Sequence, residues 1–144
     1  MQIGQDRGGF YSYSWLENMF LADIHNVDYL MPRLQERRVG ESVWMAPPHR
    51  YGGKGRMKVA QIVPNRALVL VMPDDFERVT RGERARQGEW QFLLEPVDAR
   101  TTRLIMRGAA PDHPSFLYRL MFDPAHFIME RRMMLGIKER AERS

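Results

Sequence analysis

The sequence predicts an α+β fold, in which a run of antiparallel strands is followed by one long C-terminal helix that covers one face of the sheet. Short runs rich in β-branched and aromatic residues, separated by turn residues, occupy the middle of the chain. The last third instead carries apolar residues at helical spacing. Because 144 residues suit one hydrophobic core, we expect a single domain over residues 1–144.

The composition excludes several classes of protein. Hydrophobic residues make up 44% of the chain and charged residues 28%, which is typical of a globular domain. The longest apolar run, residues 67–72, is far shorter than the ~20 residues that cross a bilayer, so we expect no membrane span. The chain has no cysteine, which excludes disulfides, thiolate metal sites and cysteine nucleophiles. Because residues 1–7 lack a signal-peptide pattern, we expect a cytoplasmic protein.

The charge balance does not by itself indicate a nucleic-acid partner. Lysines and arginines number 22 against 18 aspartates and glutamates, which gives a net charge of +4. The arginines are dispersed along the chain instead of forming one basic cluster. We therefore expect no nucleic-acid binding, and we interpret the small positive excess as a contribution to solubility.

The first third of the chain predicts one short helix, a loop and one strand. Ser12 or Ser14 can cap a helix whose apolar stripe begins at Trp15, because a hydroxyl accepts a hydrogen bond from an otherwise unpaired backbone N–H. Residues 23–32 are polar and aromatic without a sustained period, which predicts a loop. Residues 38–45 then predict a strand.

Four further strands are predicted in the middle of the chain. The first two are joined by Pro64, Asn65 and Arg66, and the last two by a turn at residues 97–100. The charged segment 73–88 lies between the two pairs, and we expect it to be a mobile loop. The four strands are residues 57–63, 67–72, 89–96 and 101–108.

The last third predicts two helices. Pro114 begins a short apolar helix that ends at Phe122. Asp123 then caps a long terminal helix with Pro124 at its first position, because proline's fixed φ suits a helix and its missing N–H is not needed there. This helix runs towards Ala141. Its expected packing face carries Phe127, Met133, Met134, Ile137 and Ala141.

Six segments carry a pattern that covers nearly the whole chain: residues 2–18 (QIGQDRGGFYSYSWLEN), 39–41 (VGE), 67–70 (ALVL), 90–96 (WQFLLEP), 102–107 (TRLIMR) and 127–142 (FIMERRMMLGIKERAE). In their order and spacing, these segments resemble the bacterial START-like (SRPBCC) superfamily, near the polyketide cyclase/dehydrase group. Within that superfamily the resemblance is to a largely uncharacterised branch.

The resemblance implies a helix-grip fold, in which a curved antiparallel sheet wraps around the long C-terminal helix and encloses an apolar cavity. Such proteins begin with a strand and a helix ahead of the segment that starts at Gln2, and this chain starts inside that segment. The resemblance therefore implies an N-terminally shortened START-like domain. Because a missing strand leaves an unpaired edge and uncovered apolar surface, we expect a homodimer that covers the gap or a poorly closed grip.

The sequence contains no pattern that indicates a metal or cofactor site. The 4 histidines stand in unrelated contexts, and His126 with Glu130 on one helix face supplies only two ligands. Asp23, His25 and Asp28 could cluster on the early loop, but turn capping by the aspartates is the interpretation we prefer. Neither a phosphate-binding loop nor a serine-nucleophile motif occurs in the sequence. We therefore expect no metal and no cofactor.

Three features predict a binding cavity between the sheet and the C-terminal helix. The chain has 11 methionines, whose flexible side chains suit an adaptable apolar pocket, and aromatic rings on several elements could form its wall. Glu130 falls within the apolar stripe of the terminal helix, where Arg103 or Arg107 could pair with it as a polar anchor. Core packing explains the apolar residues equally well, and Glu130 could instead lie on the flank beside Arg131 or Lys138. The candidate ligand-binding residues are Tyr11, Trp15, His25, Trp44, Trp90, Phe92, Arg103, Arg107, Met129, Glu130 and Met133.

These residues are compatible with three functions. The first is binding of a small hydrophobic or aromatic molecule, such as a lipid or a polyketide-like compound. The second is a cofactor-independent cyclase or dehydratase, in which Arg103 or Arg107 stabilises an enolate while Glu130, Tyr11 or His25 moves protons. The third is a protein-interaction module whose grip face contacts a partner chain.

Overall fold

The computed structural model describes residues 2–11, 13–19, 23, 25–27, 29, 31–109 and 116–143. The chain divides into two compact units. The helical unit comprises Met1–Arg37, Trp44–Gly55 and Pro114–Ser144, and the sheet unit comprises Arg38–Val43 and Arg56–His113.

The fold contains a five-stranded sheet whose strands follow one another in chain order. Successive strands β2 to β5 pair antiparallel, each with its neighbour in the sequence. Together with the long C-terminal helix, this sheet confirms the α+β class, and the five predicted strands are all present. The strands are β1 (Ser42–Trp44), β2 (Arg56–Val63), β3 (Ala67–Val71), β4 (Glu89–Pro96) and β5 (Thr102–Ala109).

Both predicted connections between strands are turns. In the first, the backbone N–H of Arg66 donates to the carbonyl of Val63 at 2.9 Å, and Asn65 takes the left-handed conformation that asparagine tolerates. In the second, the Asp98 carboxylate accepts hydrogen bonds from the backbone N–H groups of Arg100 and Thr101, at 2.8 and 2.7 Å. The bond from the Arg100 N–H, together with bonds from the side chain and the backbone of Thr101, lowers the pKa of Asp98.

The charged segment 73–88 is ordered, so the expectation of a mobile loop is wrong. It contains a 3-10 turn (Pro73–Asp75) followed by a short helix, α2 (Phe76–Thr80). Phe76 and Val79 of α2 pack against a buried cluster on the sheet formed by Ala60, Val69 and Val71. These contacts hold α2 against the sheet, although the overall composition of the segment is polar.

One continuous helix, α3 (Phe116–Glu142), forms the end of the described chain, so the predicted break into two helices at Asp123 and Pro124 is wrong. Pro124 lies inside the helix, where its ring nitrogen has no hydrogen to donate to the preceding turn. The helix continues on both sides of this missing bond. Pro114, the predicted start of the first helix, lies outside the described residues.

The buried face of α3 is only partly the one that the sequence predicts. Met133 is buried as expected, whereas Phe127 is 66% exposed and Ala141 is also exposed. The buried face instead runs through Met133 and Gly136, and it is flanked by the half-buried Arg140. None of the helices in the described ranges has the length and apolar character that a membrane span requires.

The start of the helical unit is held by side chains that bond to the backbone. The short helix α1 (Ser14–Met19) confirms the predicted N-terminal helix. The buried Gln2 accepts a hydrogen bond from the Met31 backbone N–H at 2.7 Å. A Cβ at Gly8 would lie 2.6 Å from Val27 Cγ2, so this position accommodates only glycine. Gly8, which belongs to the first segment of the START-like resemblance, therefore has a packing role here.

Candidate functional site

One face of the sheet is apolar across three consecutive strands. Residues directly opposite in an antiparallel pair share a face, and Leu68, Phe92 and Met106 are opposite one another on β3, β4 and β5. The rings of Trp90 and Phe92 are 4.8 Å apart and tilted by 52°. We call this surface the apolar face. It comprises Val59, Leu68, Leu70, Trp90, Phe92, Leu94, Leu104 and Met106.

Arg103 and Arg107 lie on the opposite face of the sheet. The register pairs Arg103 with Glu95 and Arg107 with Gln91, and these β4 residues alternate with Trp90 and Phe92. Arg103 Nη1 is 3.4 Å from a carboxylate oxygen of Glu95. The sheet therefore separates the predicted aromatic wall from its predicted arginine anchors.

Tyr11 is the centre of a packed cluster in the helical unit. Its ring lies 4.4 Å from the guanidinium of Arg140, which donates to the carbonyls of Val27 and Gly136 at 2.6 and 2.9 Å. A Cβ at Gly136 would be 2.9 Å from the Tyr11 carbonyl oxygen, so the helix approaches Tyr11 closely only because this position is glycine. We call Tyr11, Val27, Gly136 and Arg140 the Tyr11 cluster.

The environment of Tyr11 favours its neutral form. Burial raises the pKa of the Tyr11 hydroxyl, and the positive charges of Arg140 and Arg37 oppose part of that rise. The phenol therefore keeps its proton at neutral pH. Tyr11 is also one of the non-glycine residues with a positive φ, at 60°, which shows that the surrounding contacts hold its backbone in place.

Two of the other predicted site residues of the helical unit lie at its surface. The side chains of Trp15 and His25 are 68% and 84% exposed, and His25 lies 3.5 Å from the carboxylate of Asp23. Trp44 and Met129 are half-buried.

Glu130 has a different partner from those expected. Its carboxylate is 3.7 Å from His126 Nε2, one turn earlier on α3. Lys138, one of its predicted partners, instead lies 3.7 Å from Glu142. Arg103, another of its predicted partners, lies 3.4 Å from a carboxylate oxygen of Glu95.

A polar groove near the end of α3 was not predicted. It has a volume of about 250 Å³ and is lined by Arg132, Glu139, Arg140 and Arg143. Arg132 donates to the Glu139 carboxylate at 3.2 Å across its mouth. The signal in the sequence is the concentration of basic residues after the last apolar turn of the helix, which is also typical of helix C-termini. Across the ranges that the structure describes, no group of three or more histidine or acidic side chains is placed to hold a metal ion.

Comparisons with known proteins do not assign this chain. No protein-family model, curated protein or solved structure matches it.

Proposed function

We propose that the protein binds a small hydrophobic or aromatic molecule, of lipid or polyketide-like character, with the apolar face of the sheet as one wall of the site. The observation that carries this proposal is the continuity of the apolar face over β3, β4 and β5. Large rings and aliphatic side chains on a sheet provide the broad carbon surface on which apolar ligands bind.

The order of the elements gives the proposal a second support. Five antiparallel strands in chain order, followed by a long C-terminal helix, are the arrangement that the START-like resemblance implies. We therefore include a START-like domain of the helix-grip type in the proposal, and we extend to this chain the apolar ligands that the resemblance implies.

Binding fits the residues better than a cyclase or dehydratase reaction. An enolate that formed on the apolar face would need a cation beside it, but Arg103 and Arg107 project from the other side of the sheet. The Trp90 and Phe92 rings on this face are buried, and they suit contacts with an apolar ligand better than the stabilisation of a charge. The ligand is accordingly held by contacts between carbon atoms, and its affinity depends on the area of ring that it covers.

The test begins with native mass spectrometry of the protein purified from the cells that produce it, which should reveal a retained apolar molecule. A second measurement is a titration with a fluorescent fatty-acid analogue, followed by energy transfer from tryptophan. Phe92→Leu keeps the residue apolar but removes its ring, and it should weaken binding about tenfold. Leu93→Ala, on the opposite face, is the matched control and should leave binding unchanged.

Two results would overturn the proposal. One is the absence of both a retained molecule and saturable binding of the fatty-acid analogue by the folded protein. The other is equal binding by Phe92→Leu, Leu93→Ala and the unmodified chain, since the apolar face would then have no part in the site. Circular dichroism of each variant establishes that the fold is kept in both cases.

A further inference from the structure

The strand β5 lies at an edge of the sheet. It pairs with β4 over its whole length, from Thr102 to Ala109, and no described residue pairs with its other side. Most of the strand is exposed, and only Leu104, Ile105 and Met106 are half-buried. An edge of this kind presents a row of backbone donors and acceptors.

The hydrogen bonds of β4 identify which groups of β5 point outward. Leu94 donates its backbone N–H to the Arg66 carbonyl on the β3 side, and Met72 donates to the Gly88 carbonyl. Because bonding alternates along an antiparallel strand, the even-numbered residues of β4 bond to β3 and the odd-numbered ones to β5. The register then leaves the backbone N–H and C=O groups of Thr102, Leu104, Met106 and Gly108 directed away from β4.

Strand β5 lacks three of the features that commonly block strand addition at an edge. Proteins protect edge strands with proline, with a bulge or by keeping the strand short. Strand β5 has eight residues, contains no proline and pairs with β4 without a register shift. Its only charged residues are Arg103 and Arg107.

The two arginines determine which kind of strand can be added. Both arginines lie on one face, four residues apart, and Arg103 forms an ion pair with Glu95. Arg107 is exposed, lies opposite the neutral Gln91, and has no ion pair recorded in the described chain. A second copy of β5, added antiparallel, would bring two further arginines to this face. If Ile105 of one copy paired with Ile105 of the other, Arg103 would lie directly opposite Arg107 of the second copy. A strand with acidic side chains instead compensates both charges.

We propose that β5 is a docking edge for an extended, acidic segment of a partner protein, which adds to the sheet as a sixth strand. The segment carries two acidic residues four positions apart, beside Arg103 and Arg107, which are about 13 Å apart along the strand. The residue after the first acidic residue and the residue before the second are apolar, and they lie beside Leu104 and Met106. Backbone bonds to the outward groups supply affinity, and the two arginines supply the preference for acidic residues.

The test uses a fluorescein-labelled synthetic peptide with the core Glu-Val-Thr-Val-Glu and measures fluorescence anisotropy with the full chain. Arg107→Glu should weaken binding at least tenfold, and a peptide with lysine in place of only the glutamate beside residue 107 should restore binding to this variant. Arg84→Glu, an exposed charge reversal outside the strands, is the matched control and should leave the affinity within twofold.

The backbone part of the proposal has its own measurement. Met106→Pro removes an outward N–H while leaving the bonds to β4 in place, and it should abolish binding. A peptide N-methylated at alternate residues tests the same bonds without any change in the protein. Three results would each overturn the proposal. The glutamate peptide does not bind detectably, its binding survives N-methylation on both sets of alternate residues, or the charge-swapped peptide fails to rescue Arg107→Glu. Light scattering that shows a dimer dissociated by Met106→Pro would assign the edge to a second copy and overturn it as well.

Discussion

The Asp75 carboxylate holds the segment that follows α2, and its removal is the most direct test of why residues 73–88 are ordered. Asp75 is 1% exposed, and its Oδ2 accepts backbone hydrogen bonds from Arg86, Gln87 and Gly88 at 2.9, 2.6 and 3.3 Å. In Asp75→Ala, water can replace the carboxylate at the exposed Arg86 and Gln87, whereas the N–H of the buried Gly88 loses its partner. One buried unpaired donor costs about 1–3 kcal/mol, and the two exposed bonds add a smaller amount, so we expect a loss of about 3 kcal/mol.

Urea denaturation followed by tryptophan fluorescence measures this loss. With an m value of about 2 kcal/mol/M, the urea midpoint should fall by about 1.5 M for Asp75→Ala. Asp75→Asn keeps an acceptor oxygen but removes its charge, so it should lose about half as much. Asp74→Ala changes the exposed neighbour in the same turn and should stay within about 0.5 kcal/mol of the unmodified chain. If Asp75→Ala is as stable as Asp74→Ala, the carboxylate does not order this segment and the reasoning is wrong.

Three further predictions concern the Tyr11 cluster and the turn after β4. Gly136→Ala should lower the free energy of unfolding by about 1–3 kcal/mol in a thermal melt, because a Cβ 2.9 Å from the Tyr11 carbonyl overrides the better helix propensity of alanine. Burial raises the pKa of Tyr11, so the buried neutral phenol stabilises the fold fully below about pH 10, and this stabilisation is lost as the pH rises through the folded pKa. Tyr11→Phe should therefore make the stability fall less steeply at alkaline pH. The lowered pKa of Asp98 has the opposite effect. The ionised carboxylate stabilises the fold above about pH 4 and this stabilisation is lost as the pH falls, so Asp98→Asn should make the stability fall less steeply at acid pH. Urea titrations at a series of pH values check both, and profiles that keep their slopes in these variants would contradict the two assignments.

The strands were predictable because alternation and turn residues are local signals. The predicted run 57–63 and the observed strand Arg56–Val63 differ by one residue, and Glu89–Pro96 agrees at both ends. The segment 73–88 was not predictable in the same way, since its order depends on Asp75 and the partners of Asp75 are backbone groups eleven to thirteen residues away. Backbone N–H groups are the same for every residue except proline, so no feature of the sequence identifies them as partners.

Helix α3 shows how a correct local rule can give the wrong boundary. Proline is favoured at the first position of a helix, and Asp123 before it is a good cap, so residues 123–124 have the pattern of a helix start. A single proline removes only one hydrogen bond, however, and the helix runs through it from Phe116 to Glu142. The buried face was also displaced, because Gly136 contributes no side chain to a hydrophobic pattern even though its lack of one permits the close approach to Tyr11.

The arrangement of the candidate site depends on the length of one turn. A four-residue connection at 97–100 would pair Pro96 with Thr101, and would thereby set Arg103 opposite Leu94, on the same face as the Trp90 and Phe92 rings. The structure instead pairs Pro96 with Thr102, with the Val97 N–H bonded to the Thr101 carbonyl inside a five-residue turn. Because a shift of one residue reverses every side chain of a strand, that single additional residue moves both arginines to the other face. It takes Arg103 and Arg107 off the apolar face, in keeping with the proposal of an apolar ligand, and it places their charges on the edge strand β5, beside which the proposed acidic strand would lie.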